Sequence, residues 1–399
     1  MKQTVFLQLL NDARKIENHV IDIRRRIHAY PELAFKEFNT SKIIATEMKS
    51  LGLKVTKCTE TGVIGLLEGS GDGSVVGLRA DMDALPLQEE VNIPFRSGTS
   101  GVMHACGHDA HVAMLLGAAR ILAHRKAMIK GQVKFIFQPA EEDPAGGGAL
   151  AMIADGVLED PPIDYVFGLH LIGNLQSGHF GICPGPAMAA ADSFKIMVVG
   201  SGGHAAAPHE TKDPIFISTV LITSLYGISS RMRDPTQPFV ISVCRFESGT
   251  KENIIPDYAV IEGTIRSLDE KLRKKAKEQV RRIATSVCKT FGASCEFTFG
   301  DAQSPVLVND PVLSKRAETI LHQIPGTKVT TVKPILGGED FSQFLLSVPG
   351  VYYFLGTRNT AKACVHYNHS SKFRVDESVL KYGVVSHIAL ALDFTGSAT

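Results

Sequence analysis

Four apolar runs, each leading toward residues able to hold a metal or move a proton, constrain this sequence most. Gly73-Ser-Val-Val-Gly-Leu-Arg-Ala80 leads into Asp81 and Asp83, and Gln132-Val-Lys-Phe-Ile-Phe-Gln138 into Pro139, Glu141 and Glu142. Asp164-Tyr-Val-Phe-Gly-Leu169 leads into His170. Val351-Tyr-Tyr-Phe-Leu355 leads into Gly356 and, further on, a histidine-rich loop. Short runs rich in Val, Ile and Phe, interleaved with longer helical patterns, predict an α/β fold with a mostly parallel central sheet. In open α/β sheets chemistry collects beyond the carboxyl ends of strands. One polar strand end means little; several in one chain predict a shared site.

Helical patterns cover 5–28, ending near Pro31, and 39–51, ending at Gly52. Between 187 and 300 the texture changes. Strand patterns at 193–200, 238–244, 258–266 and 294–299 alternate with helical ones at 214–232 and 269–291. That order predicts one antiparallel sheet with two helices on one face, a ferredoxin-like α+β domain. Ligand-capable strand ends occur on both sides of it. It therefore reads as an insertion at 187–300 into a domain formed by 1–186 and 301–399.

Composition excludes several classes. Hydrophobic residues at 44% and charged residues at 21% are a globular balance, not that of a disordered or fibrous chain. Forty-two basic against 41 acidic residues leave a net charge of +1, without the basic excess of a nucleic-acid binder. No run approaches the roughly 20 apolar residues that span a bilayer, so no membrane partner is expected. Phe6, Leu7, Leu9 and Leu10 are soon followed by Asp12, Arg14 and Lys15, an amphipathic helix rather than a secretory signal. Seven thinly spread cysteines fit a reduced, cytoplasmic setting better than a disulfide framework.

The segment His104-Ala-Cys-Gly-His-Asp-Ala-His111 is the most informative. Cys106 and His108 cannot share one face of a regular helix, but in a loop feeding a helix N-terminus they can converge. Thiolate and imidazole together suit Zn, Co and Ni, with Mn admitted when carboxylates join them. Glu141 and Glu142 are adjacent, so their side chains diverge: one can bind metal while the other faces substrate as general base. His170, alone, reads more readily as a hydrogen-bonded core histidine than as a ligand. His366 and His369, in Cys364-Val-His-Tyr-Asn-His-Ser-Ser-Lys-Phe373, can each close the site. One thiol, three imidazoles and a carboxylate exceed what one tetrahedral ion needs, which favours two bridged ions.

These motifs resemble the metal-dependent amidohydrolase branch of the aminoacylase and carboxypeptidase G superfamily, with its hippurate hydrolases, N-acyl-amino-acid amidohydrolases and auxin-conjugate hydrolases. The matching residues include His28-Ala-Tyr-Pro-Glu-Leu33, Gly77-Leu-Arg-Ala-Asp-Met-Asp-Ala-Leu-Pro86, Met103-His-Ala-Cys-Gly-His-Asp109 and Phe137-Gln-Pro-Ala-Glu-Glu142. Further on come Gly202-Gly-His-Ala-Ala-Ala-Pro-His209, Asn253-Ile-Ile-Pro256, Gly263-Thr-Ile-Arg266 and Gly337-Gly-Glu-Asp-Phe341. The resemblance implies a di-metal aminopeptidase-like catalytic domain whose ligands are Cys106, His108, Glu142, His170 and His369, with Glu141 as general base. His369 is preferred to His366 because Phe373 and then Asp376-Glu377 follow it, as in the family.

It further implies two divalent ions (Mn, Zn, Ni or Co) and a lid and dimerisation role for the insertion, hence a homodimer in preference to a monomer. His204 would be a catalytic donor, and Asn253 and Arg266 substrate-binding groups. The implied reaction is hydrolysis of a small N-acyl amino acid. The sequence departs from the family at Asp143-Pro-Ala-Gly-Gly-Gly148, where a short turn is usual, and at Ser371, where proline is common. The alternatives are a dipeptidase or carboxypeptidase on the same scaffold, a non-catalytic metal-binding protein, and nucleophilic catalysis by Cys106. The last leaves the glutamate pair without a role.

Overall fold

The computed structural model describes residues 2–143, 147–300 and 304–396. Residues 144–146 of the glycine-rich departure and the expected boundary at 301 lie outside the described residues. The chain divides into two compact units. One comprises Met1–Gly185, Val308–Lys333 and Gln343–Thr399, the other Pro186–Leu307 and Pro334–Ser342.

In the first unit eight strands form one sheet. Their spatial order is Lys54–Cys58, Gly62–Glu68, Gln132–Gln138, Val75–Asp81, Tyr165–Gln176, Gly350–Arg358, His179–Ile182 and Lys328–Thr331. The four central strands run parallel, and the antiparallel pairings lie to either side of them. Val75–Asp81 is buried along its whole length, as expected of a central parallel strand covered on both faces. Helices His108–His124 and Leu380–Phe394 are buried nearly all round and join the sheet residues in one apolar cluster.

Two expectations are revised. The single opening helix is two, Gln3–Lys15 and Glu17–Ala29, broken at Ile16, whose backbone leaves helical values (φ −102°, ψ 5°). The strand expected to end at Leu169 continues to Gln176, because Gly350–Arg358 stays paired with it: Phe354 opposite His170, Gly356 opposite Ile172. On its other side, pairing with Val75–Asp81 stops at Arg79 opposite Gly168. His170 therefore stands level with the carboxyl end of that neighbouring strand, although it lies inside its own.

In the second unit Phe239–Ser248, Tyr258–Ser267, Ala190–Val199 and Ser294–Phe299 form, in that order, an antiparallel sheet. Helices Pro214–Arg231 and Glu270–Thr290 begin at Asp213 and Asp269, whose carboxylates accept N–H groups of the first turn. Leu221, Leu225, Val280 and Ala284 of the helices pack with Ile196, Val198, Ile261 and Ile265 of the sheet in one buried cluster. Pro334–Ser342 belongs to this unit although it lies far beyond 300 in sequence. The Ile335 N–H donates to the Ala187 carbonyl (2.9 Å) and the Ala189 N–H to the Ile335 carbonyl (3.0 Å).

Candidate metal centre

Cys106 and His108 flank Gly107, whose φ of +96° turns the chain into helix His108–His124. L-residues with side chains rarely adopt that conformation. The turn lets the two side chains converge, and with His170 they form a group whose ligand atoms lie within 4.8 Å of one another. The Cys106 Sγ is 3.3 Å from the His170 Nε2. Cys106 also forms such a group with Glu142 and His369, and His108 forms one with Glu141 and Glu142. The His369 Nε2 lies 3.0 Å from the Glu142 Oε1, yet not in hydrogen-bond geometry. His366 enters none of these groups among the described residues.

The ring contacts of the histidines separate ligand candidates from braces. The His108 Nδ1 is 3.1 Å from the Asp83 Oδ1, and its buried Nε2 has no hydrogen-bond partner. That Nε2 lies 3.7 Å from the Asp81 Oδ2 and 4.0 Å from the Glu141 Oε2. A histidine oriented by a carboxylate through one nitrogen, with the other bare, is the arrangement metal-ligating histidines adopt. His170 donates from Nδ1 to the Leu171 carbonyl (2.6 Å), which turns Nε2 toward Cys106. His111 differs: its Nδ1 donates to the Asp81 Oδ1 (2.6 Å) and its Nε2 accepts the Leu171 N–H (2.8 Å), so both nitrogens are engaged.

The field in this cluster favours a cation. Burial opposes charge on His108, but Asp81 and Asp83 push its pKa up to about 10. Burial, reinforced by Glu142 and Glu141, holds the Cys106 thiol well above its ordinary value. Burial and His111 hold His170 well below its ordinary value, hence as neutral imidazole. A divalent ion would occupy the place of the charge held on His108, satisfy the bare Nε2 and convert the thiol to thiolate. The donor set of sulfur, imidazole and carboxylate fits such ions.

Asp83 is marked in the sequence only as a ligand-capable strand end, without a role, and Glu37 is not singled out. The Asp83 Oδ2 accepts the Glu142 N–H (2.9 Å) while its Oδ1 orients His108. Glu37, fully buried, accepts the Ala140 N–H (2.9 Å), the Phe35 N–H (3.0 Å) and the Thr61 hydroxyl (2.7 Å). Burial outweighs these donors and pushes its carboxyl up to about 7. Ala140 sits at φ +53°, so the turn carrying Glu141 is held on both flanks by buried carboxylates.

In the second unit, His204 is exposed on the short strand Gly203–His204, paired with Ile254–Ile255. Its Nδ1 accepts the Ala206 N–H (3.0 Å), which leaves the Nε2 proton free to donate when the ring is neutral. The adjoining Asn253 is exposed, and its carbonyl accepts the Ala205 N–H (3.2 Å). Arg266, half-buried on Tyr258–Ser267, donates to the Thr264 hydroxyl and the Ile265 carbonyl.

Side chains able to hold a metal, with carboxylates among them, gather on a mixed α/β scaffold, as they do in metal-dependent hydrolases. The family model described as Peptidase family M20/M25/M40 matches residues 77–393, and the chain belongs to that family. It is 52% identical over 390 residues to thermostable carboxypeptidase 1 of Saccharolobus solfataricus, covering 97% of this chain and 98% of that one. It is 44% identical to an N-acyl-L-amino acid amidohydrolase of Geobacillus stearothermophilus, over 74% of this chain and 80% of the other. A crystal structure of the Bacillus subtilis YXEP protein, described as a dinuclear metal-binding peptidase from the M20 family, superposes with a TM-score of 0.83. The two are 34% identical, and the match covers 96% of this chain and all of that one.

Proposed function

We propose that the chain hydrolyses the amide bond of N-acyl amino acids of the hippurate or N-acetyl type. In this reading Cys106, His108, Glu142, His170 and His369 hold two divalent ions of Mn, Zn, Ni or Co, and Glu141 is the general base. The observation that carries it is the sharing of Cys106 between two ligand groups, one with His108 and His170 and one with Glu142 and His369. Glu141 is left beside both, 4.0 Å from the His108 Nε2.

When bound, two such ions supply an activated water and polarise the amide carbonyl. Glu141 takes the proton of that water and delivers it to the leaving nitrogen. His204, of the same or a partner subunit, donates from Nε2 to the developing oxyanion, a contribution worth about 10²–10³ in turnover. Asn253 and Arg266 hold the substrate carboxylate or stabilise the transition state, the guanidinium being suited to grip a carboxylate bidentately. The division into a catalytic domain of 1–186 and 301–399 and a lid and dimerisation domain of 187–300 is part of this reading, as are a homodimer and a cytoplasmic location. Seven free cysteines support the last. Among the described residues no helix is long and apolar enough to cross a membrane.

A carboxypeptidase is the second reading, favoured by the relative that is 52% identical. Both reactions cut an amide whose nitrogen belongs to an amino acid with a free carboxylate; they differ on the acyl side. Parallel assays with hippurate, N-acetyl amino acids and short peptides separate them. Glu141→Gln is expected to keep its metal and lose about 10²–10⁴ in kcat, whereas Cys106→Ser loses metal. A metal-free Glu141→Gln beside a fully loaded Cys106→Ser overturns the assignment.

A further inference from the structure

The ligand candidates come from chain segments far apart in sequence, and one side chain that is itself no ligand joins three of them. The Asn368 Nδ2 donates to the Cys106 carbonyl (3.0 Å) and to the Leu171 carbonyl (3.0 Å). Its Oδ1 accepts the Gly173 N–H (3.0 Å). All three amide contacts run to backbone, at Cys106 itself and at residues one and three past His170. The next residue, His369, is in turn fixed by its own N–H on the Ala105 carbonyl (2.8 Å), at φ +65°. The loop lies close on the strand: a Cβ at Gly173 would meet the His366 carbonyl oxygen at 2.5 Å.

We propose that Asn368 is the positioning residue that presets the metal site by stitching the Cys106, His170 and His369 segments together before any ion binds. This rests on the ligand assignment above. The amide suits the task because it offers two donors and an acceptor in one plane, matching two carbonyls and one N–H. Without it the His369 N–H on the Ala105 carbonyl still ties two of the segments, but the link to the strand carrying His170 is lost, and more of the cost of ordering the segments falls on metal binding. Groups that orient ligands without touching the ion typically alter metal affinity about 10–100-fold.

The test uses the full chain, stripped of metal and titrated with Co²⁺ by calorimetry and by its visible absorption. Asn368→Ala and Asn368→Leu add no charge, and both are expected to weaken Co²⁺ binding about 10–100-fold while the metal-free proteins stay folded. Wild-type Co²⁺ affinity in both variants overturns the proposal. Cys106→Ser, run beside them, separates the two failures: if it too keeps Co²⁺, the ligand set is wrong. Hydrogen exchange on the metal-free wild type gives a reading independent of whether the variants fold. The Gly173 amide is expected to be protected there, and exchange at open-loop rates overturns the proposal.

Discussion

Asp376 shows how much a single carboxylate can organise. Its Oδ1 accepts from the Lys362 Nζ (2.6 Å) and the Ser378 hydroxyl (2.7 Å). Its Oδ2 accepts from the Ser177 hydroxyl (2.6 Å) and the Asn359 amide (2.7 Å). Burial opposes ionisation, but these donors win and hold the carboxyl well below its usual range. A depressed carboxylate stabilises the fold fully above the unfolded value of about 3.9 and loses that contribution as pH falls through the folded value. Urea unfolding of the metal-free chain is therefore expected to show stability falling toward about pH 3. Asp376→Asn should be less stable near neutrality and show a shallower fall. An unchanged pH profile in the variant contradicts this. At this scale the sequence was partly legible: Cys106, His108 and the glutamate pair announce themselves by chemistry and spacing. Asn368 and Glu37 do not, and Asp83 shows only as a polar strand end, because their partners are backbone groups or side chains brought close only by folding.

Elements were legible where one signal dominated. Continuous apolar runs marked the central strands, and the helical patterns beginning at 214 and 269 start where the structure caps helices through the Asp213 and Asp269 carboxylates. The break at Ile16 carries neither glycine nor proline, and the strand beyond Leu169 is sustained by pairing with a partner about 185 residues later. Lys134, in an otherwise apolar strand, has a comparable tertiary explanation. Its buried ammonium donates to the carbonyls of Val157 (3.0 Å), Glu159 (2.5 Å) and Pro161 (2.9 Å). Lys134→Met would keep the volume and strip three carbonyls of their donor. The expected loss is on the order of 3 kcal/mol in urea unfolding, and an unchanged midpoint contradicts the role.

At the scale of the molecule, the alternation of strand and helix and the antiparallel texture of 187–300 can be read from sequence. The membership of Pro334–Ser342 in the second unit cannot, since it rests on backbone pairing with Ala187 and Ala189. Because ligands from distant segments of the first unit would share the ions, metal should stabilise that unit by linkage, about 2.7 kcal/mol at a free ion concentration 100 times Kd. Chelation is expected to lower Tm and readdition to restore it; a Tm indifferent to chelator argues against a site built from these residues. In the proposed function five side chains gather two cations. Anomalous diffraction at the absorption edge of the loaded metal tests it most directly. Two peaks roughly 3.5–4 Å apart, in contact with Cys106, His108, Glu142, His170 and His369, are the expected result, and no paired peaks there, or peaks held by other residues, would contradict it.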